Sequence, residues 1–168
     1  MPTVTTIIPA LNYVHDTISN ASTGLNNEVT AIGTANSVTM KTIPTDHFFK
    51  SDKQVVQQFP CCFTKAESED GTPETSSQFQ HEFIITVEIF DADEDEDVLN
   101  LRLMVWSQGL QQILNDITAR TAWDNNIIEV TNVTVDYDPE FVAANKHVFL
   151  RHVVIQYTVL SNYGNFIS

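Results

Sequence analysis

Apolar residues near the start of the chain recur at helical steps. Ile7, Leu11, Val14 and Ile18 are separated by four, three and four positions. That spacing forms one stripe and predicts a helix within residues 3–20. Pro9 is tolerable only in a first turn, so the helix proper begins close to it. Residues 19–37 are small, polar and nearly uncharged, and read as a loop or a soft second helix. Between 38 and 65, short strands are broken by Pro44 and Pro60. Proline is kept out of central strands, which predicts an edge or second strand around Pro60 to Lys65. Residues 66–77 have no hydrophobic anchor beyond Ala66 and read as an acidic, mobile loop at the tip of a long hairpin.

From Gln78 the pattern sharpens. His81, Phe83, Ile85, Val87 and Ile89 alternate with Glu82, Ile84, Thr86, Glu88 and Phe90, so the first set faces a core and the second face is mixed. The acidic run Asp91 to Asp97 ends this strand. Leu99, Leu103, Trp106, Leu110, Ile113 and Ile117 then follow at helical steps, with Leu101, Met104, Val105 and Leu114 widening the stripe. The opposite side (Asn100, Ser107, Gln108, Gln111, Gln112, Asn115) is polar and almost uncharged. Two strands close the chain. In Ile127 to Tyr137, Val133, Val135 and Tyr137 oppose Thr134 and Asp136. His147 to Leu160 is apolar on both faces, which predicts a central strand covered by its own helices on one side and by a neighbouring subunit on the other. Asp138-Pro139 marks the turn between them.

These elements predict an α+β fold. A mixed, mainly antiparallel sheet carries a long amphipathic helix with the N-terminal helix packed on it. A single domain spans 1–168: an N-terminal helix and polar segment over 1–37, a sheet-helix core over 38–160 with the acidic loop 66–77, and a tail over 161–168. The length of 168 residues and the 42% hydrophobic content suit one domain with a normal core.

Charge narrows the function. Eight Lys and Arg face 22 Asp and Glu, a net charge of -14. Gripping nucleic acid requires cations that displace condensed counterions, so this balance argues against it, and equally against docking on anionic lipid. It suits a surface that DNA slides past. The first ten residues contain no basic residue and no long apolar run, so no secretion signal is expected, and no stretch is long enough to span a membrane. Cys61 and Cys62 are adjacent and would point to opposite faces of a strand, which predicts two buried thiols and no mutual disulfide.

The candidate chemistry is sparse. Asp91, Asp93 and Asp95 match the first three ligand positions of a calcium loop, but Glu96 replaces the required glycine and Arg102 the twelfth-position acid. A calcium-binding interaction module using residues 91–97 stays open as an alternative. The competing reading is that these acids start a helix, meeting its free N–H groups and its positive end. His15, His47, His81, His147 and His152 are scattered without zinc-ligand spacing. No nucleophile elbow, phosphate loop or dinucleotide fingerprint occurs, so the chain reads as a part and not a catalyst, with no cofactor implied.

The order of elements resembles a family. A helix leads to a strand that starts Phe59-Pro60-Cys61-Cys62-Phe63. An acidic hairpin returns as the strand His81 to Phe90. A long helix follows, and the last strand contains Val153-Val154-Ile155-Gln156-Tyr157-Thr158-Val159. This resembles the tail terminator and related neck proteins of long-tailed bacteriophages over most of residues 55–160. The polar segment 19–37 is longer than in a minimal terminator and the acidic run is denser. The resemblance implies a hexameric ring in the virion neck that caps the tail tube, after a stage in the host cytoplasm during assembly. Its partners would be the tail-tube protein on one face and a head-completion or connector protein on the other, with genomic DNA passing through. Another neck protein, itself a head-completion or connector subunit, is the alternative within the class. On this reading Gln108, Gln111, Gln112 and Asn115 are subunit-interface candidates. Glu67, Glu69, Asp70, Glu74, Asp93 and Glu94 are candidates for partner docking or the bore lining.

Overall fold

A computed structural model of the chain describes residues 7–50, 58–75, 78–115, 127–137, 142–145 and 148–164. Three helices occur among them: α1 (Ile7–Ser19), α2 (Leu25–Ala35) and α3 (Glu96–Asn115). The strands are β1 (Phe48–Phe49), β2 (Cys61–Thr75), β3 (Gln78–Asp93), β4 (Ile127–Tyr137), β5 (Val142–Asn145) and β6 (Val148–Gly164). They form a sheet in the order β1-β2-β3-β6-β4, with β5 paired to the start of β6. Only β1 and β2 run parallel, and every other pair is antiparallel. The fold is therefore α+β with a mixed, mainly antiparallel sheet. Among the described residues no helix is long and apolar enough to cross a membrane.

The helices cover one face of the sheet. Phe83, Ile85, Val87 and Ile89 of β3 are fully buried, as are Val153, Ile155 and Tyr157 of the adjacent β6. The register sets Val87 opposite Ile155 and Ile89 opposite both Val153 and Cys62, so one face of three strands is a continuous apolar floor. Onto it α3 presents Leu99, Leu103, Trp106, Leu110 and Ile113, and α1 and α2 add Val14, Ile18, Leu25 and Val29. The buried Tyr157 hydroxyl donates to the Leu110 carbonyl oxygen at 2.7 Å, tying sheet to helix. α2 crosses α3 closely at Gly109, where a Cβ would stand 2.5 Å from Val29 Cγ1. The Asn26 side chain donates to the Ile43 carbonyl and accepts from the Ile43 N–H, both at 2.9 Å, which pins the segment after α2.

The helix stripes behave largely as the periodicity predicts. α1 starts at Ile7, with Pro9 in its first turn. The polar segment resolves into a true second helix, α2, that stops at Ala35. There the Val38 N–H bonds Gly33 O and the Ser37 N–H bonds Thr34 O, with Ser37 left-handed at φ 58°, the position usually given to glycine. β6 lies between β3 and β4, the central place its apolar sequence implies. Cys61 and Cys62 are both buried and free.

Four readings need correction. Residues 66–75 are strand, not loop, because the β3 ladder satisfies their backbone without any apolar anchor. Beyond Phe63, where β1 ends, this part of β2 is an edge among the described strands, a position that tolerates Pro73 and many acids. β3 continues through Asp91 to Asp93, paired with Arg151 and Phe149. Leu101 and Met104 are exposed and do not widen the core stripe, whereas Val105 does. Ser107, read as part of the outward polar side, is buried. Val55, Val56, Ile117, Asp138, Pro139 and His147 lie outside the described residues.

Candidate functional site

The acidic run divides in two where β3 meets α3. Asp91 is fully buried, and the Arg102 guanidinium grips it from α3: Nε donates to Oδ2 at 2.7 Å and Nη2 to Oδ1 at 3.2 Å. Trp106 Nε1 donates to the same Oδ2 at 3.2 Å. Arg102 Nη1 reaches Asp93 Oδ2 at 2.7 Å, and Lys41 stands 3.3 Å from that oxygen. Arg102 is itself 3% exposed, so this is a buried, bidentate pair with its hydrogen bonds filled. Burial alone would lower the Arg102 pKa, but the hydrogen bond and charge of Asp91, then those of Asp93, raise it. Burial would raise Asp93, yet the Asp95 N–H, Arg102 and Lys41 together hold it well below the usual carboxylate range.

The second half of the run starts the helix. Asp95 Oδ1 accepts from the N–H of Asp97 at 2.9 Å and of Val98 at 3.2 Å, an N-cap of the kind the sequence suggested. From β6, Arg151 donates to Asn100 Oδ1 at 2.6 Å and to Glu96 Oε1 at 2.5 Å, closing the same end of α3 against the sheet. The three calcium candidates thus face different groups: Asp91 and Asp93 a guanidinium, Asp95 the helix amides. Among the described residues no group of three or more His, Cys, Asp or Glu is arranged to hold a metal ion.

The outward side of α3 is uncharged beyond its first turn. Gln108 and Gln112 are exposed, and Gln111 is half-buried, donating to Ser107 Oγ at 3.1 Å. The Asn115 side chain lies outside the described ones. Between the glutamines and the acidic start lie Met104, 58% exposed, Leu101, 50%, and Val98, 37%. Steps of three and four from Leu101 to Met104 to Gln108 make one outward stripe. Sequence reasoning missed it because a leucine and a methionine beside a core stripe look like its margin. It also missed Arg102. The signal was there: the one basic residue between Lys65 and Arg120 sits three positions after Leu99 and four before Trp106, on the core face.

Of the docking candidates, Glu67 and Glu94 are exposed and Asp93 is committed to Arg102 and Lys41. Glu67 and Glu74 fall at the two register shifts of the β2–β3 ladder. Glu69 and Asp70 lie between them on β2, and the side chains of Glu69, Asp70 and Glu74 are outside the described ones. A shallow groove of about 380 Å³ lies at the end of α2, lined by Thr30, Gly33, Thr34, Ser37, Val38, Thr39 and Met40. It offers hydroxyls and a thioether but no ionisable side chain for acid–base work.

No family model matches the chain, and a search of curated proteins finds no match. Among solved structures, the chain is similar to one described as "Virion of native gene transfer agent (GTA) particle". The identity is 8%, the TM-score is 0.46, and the match covers 90% of this chain and 93% of that one.

Proposed function

We propose that the chain is a structural subunit of a phage-type virion, forming a hexameric ring at the head-proximal end of the tail. It would cap the tail tube on one face and meet a head-completion or connector protein on the other. The observation that carries this reading is a sheet that outgrows the described helices. β2, β3 and β6 are 15, 16 and 17 residues long. At about 3.3 Å per residue they extend roughly 50 Å. Even aligned with them, the 20 residues of α3 cover only about 30 Å. Among the described side chains, the helix-facing core ends at Phe83 and Tyr157. On this reading the acid-rich stretch of β2 beyond them, with Glu67, Glu69, Asp70 and Glu74, is where a partner packs. The succession of helix, hairpin, long helix and closing strands on which the resemblance to tail terminators rests is present, with α2, β1 and β5 in addition.

The charge agrees with this role. A ring that DNA traverses works best with walls that do not bind phosphate, and a net charge of -14 provides them. The subunit is proposed as a part without catalysis or cofactor. The test is assembly of the full chain, alone and with tail tubes from particles lacking it. Annular particles with six times the mass of the 18.9 kDa chain, seated on tube ends, support the proposal. A strict monomer by light scattering in both conditions, with bare tube ends in negative stain, overturns it.

A further inference from the structure

We propose that acid loosens α1 from the sheet through one residue: protonation of His15 opposes the docking of the helix that Lys50 helps to hold. His15 and Asp16 follow Asn12 by three and four positions, so the three share one side of α1. Lys50, just after β1, reaches that side. Its Nζ donates to Asn12 Oδ1 at 2.8 Å and stands 3.4 Å from Asp16 Oδ1. His15 also adjoins the core stripe, where Val14 and Ile18 are fully buried. The ring is half-buried, and its Nδ1 atom is buried without a hydrogen-bond partner.

That unmet nitrogen decides which form of the ring the fold accepts. A neutral imidazole can carry its hydrogen on Nε2 and leave Nδ1 as a lone pair. An imidazolium carries hydrogens on both nitrogens, so it would put a charged N–H where nothing accepts it. It would also add a cation on the side of α1 that Lys50 already occupies. α1 packs against α2, α3, β2 and β3. The charges of described residues that act on His15 are nevertheless those of Lys50, from the segment after β1, and Asp16, on α1 itself. Burial first and Lys50 second lower the His15 pKa, and Asp16 offsets them only in part. Docked α1 therefore favours the neutral ring. The contribution is complete above the unfolded imidazole pKa of about 6.5, and is lost as pH falls from there through the folded value.

The effect is local to α1. α3 is tied to the sheet by Arg102 on Asp91 and by the Tyr157 hydroxyl on the Leu110 carbonyl oxygen. Neither Arg102 nor Tyr157 changes its protonation near pH 6, since both pKa values are raised from ordinary values that already lie far above it. α1 can thus open at a pH where α3 stays seated.

Hydrogen exchange of the full chain tests this at about pH 7.5 and about pH 5.5, both above the ordinary carboxylate range. After correction for intrinsic exchange rates, protection of the α1 amides should fall at least about twofold between the two while that of α3 holds. His15→Gln keeps a polar side chain that takes no proton, and should abolish the fall whatever its own baseline. Lys50→Gln should lower α1 protection at the higher pH and shrink the fall, whereas Asp16→Asn should enlarge it. His47→Gln, three positions before Lys50, should leave the fall in place. A fall in His15→Gln equal to that of wild type overturns the proposal. So does a fall shared equally by α1 and α3, which would put the proton linkage in global unfolding.

Discussion

The two sides of α3 invert the usual assignment of residues. Its inner side holds an arginine, Arg102, at 3% exposure, beside Trp106 and Leu99. Its outer side holds a leucine and a methionine, each at least half exposed. The difference lies in what each side chain can reach. Arg102 is inside because Asp91 and Asp93 wait at the end of β3 with oxygens that fill its donors. Leu101 is outside because the stripe from Leu99 to Ile113 already fills the space above the sheet. The acidic run divides the same way: Asp91 and Asp93 hold the layers together, while Asp95 and Glu94 stay at the surface. Burial here follows the available partner more than the residue type.

The comparison breaks most visibly at Arg102. Arg102→Met leaves the buried Asp91 carboxylate without its guanidinium, with only Lys41 at 3.9 Å as a cation, and should cost about 3 kcal/mol in urea unfolding. Pairing it with Asp91→Asn should recover a good part of that loss, since the stranded charge is gone. A loss near zero for the single change would mean that the pair does not anchor α3. The same network predicts an acid limb. Asp93 has a folded pKa below its unfolded value. Its contribution is therefore complete above the unfolded carboxylate pKa of about 3.9, and is lost as pH falls from there through the folded value. Asp93→Asn should flatten the fall in urea midpoint on the acid side and leave the slope above it unchanged.

The inner side is also tight at Gly109. A Cβ there would lie 2.5 Å from Val29 Cγ1 and 3.2 Å from Leu25 Cδ1. Overpacking of this kind costs about 1–3 kcal/mol, partly offset by the better helix propensity of alanine. Gly109→Ala should lower stability within that range. Adding Val29→Ala should recover part of it, and a coupling near zero in that cycle would separate the two positions.

How far the sequence carried the fold depended on which force decided each element. Helix and strand stripes that face the core were legible, because burial imposes their period: Leu99 through Ile113 and Phe83 through Ile89 are where the pattern put them. The extension of β2 through residues 66–75 was not, because its stability comes from backbone pairing with β3, which leaves no hydrophobic trace. The capping role of Asp95 was visible as a local rule. The partners of Asp91 were not, since Lys41 lies 50 positions away in the chain and Arg102 is brought to it only when α3 folds back on the sheet. The exposure of Leu101 and Met104 was hidden for a related reason: the width of a core stripe depends on how much sheet lies beneath it.

Of the acids that remain outside, Asp95 alone among Glu94, Asp95 and Asp97 accepts bonds from the first turn of α3. Asp95→Ala should cost about 1 kcal/mol, the usual value of an N-cap. Glu94→Ala, next to it and without such a bond among the described ones, should fall within about 0.5 kcal/mol of wild type by the same measurement. Equal effects at the two positions would reduce the cap to bulk charge.

The smallest effect on folding is the sharpest test of the inside–outside contrast. Leu101 and Leu103 are two positions apart on one helix, at 50% and 3% exposure. Leucine and glutamine have similar helix propensity, so a change to glutamine tests environment and little else. Leu103→Gln places an amide against Leu99, Trp106 and the sheet, where it removes apolar burial and adds unmet hydrogen-bonding groups. Leu101→Gln exchanges one solvent-facing side chain for another and extends the existing row of Gln108, Gln111 and Gln112. Its monomer should unfold within about 0.5 kcal/mol of wild type. A loss comparable to that of Leu103→Gln would mean that Leu101 is covered within its own chain and that the inside–outside contrast of α3 fails at this position.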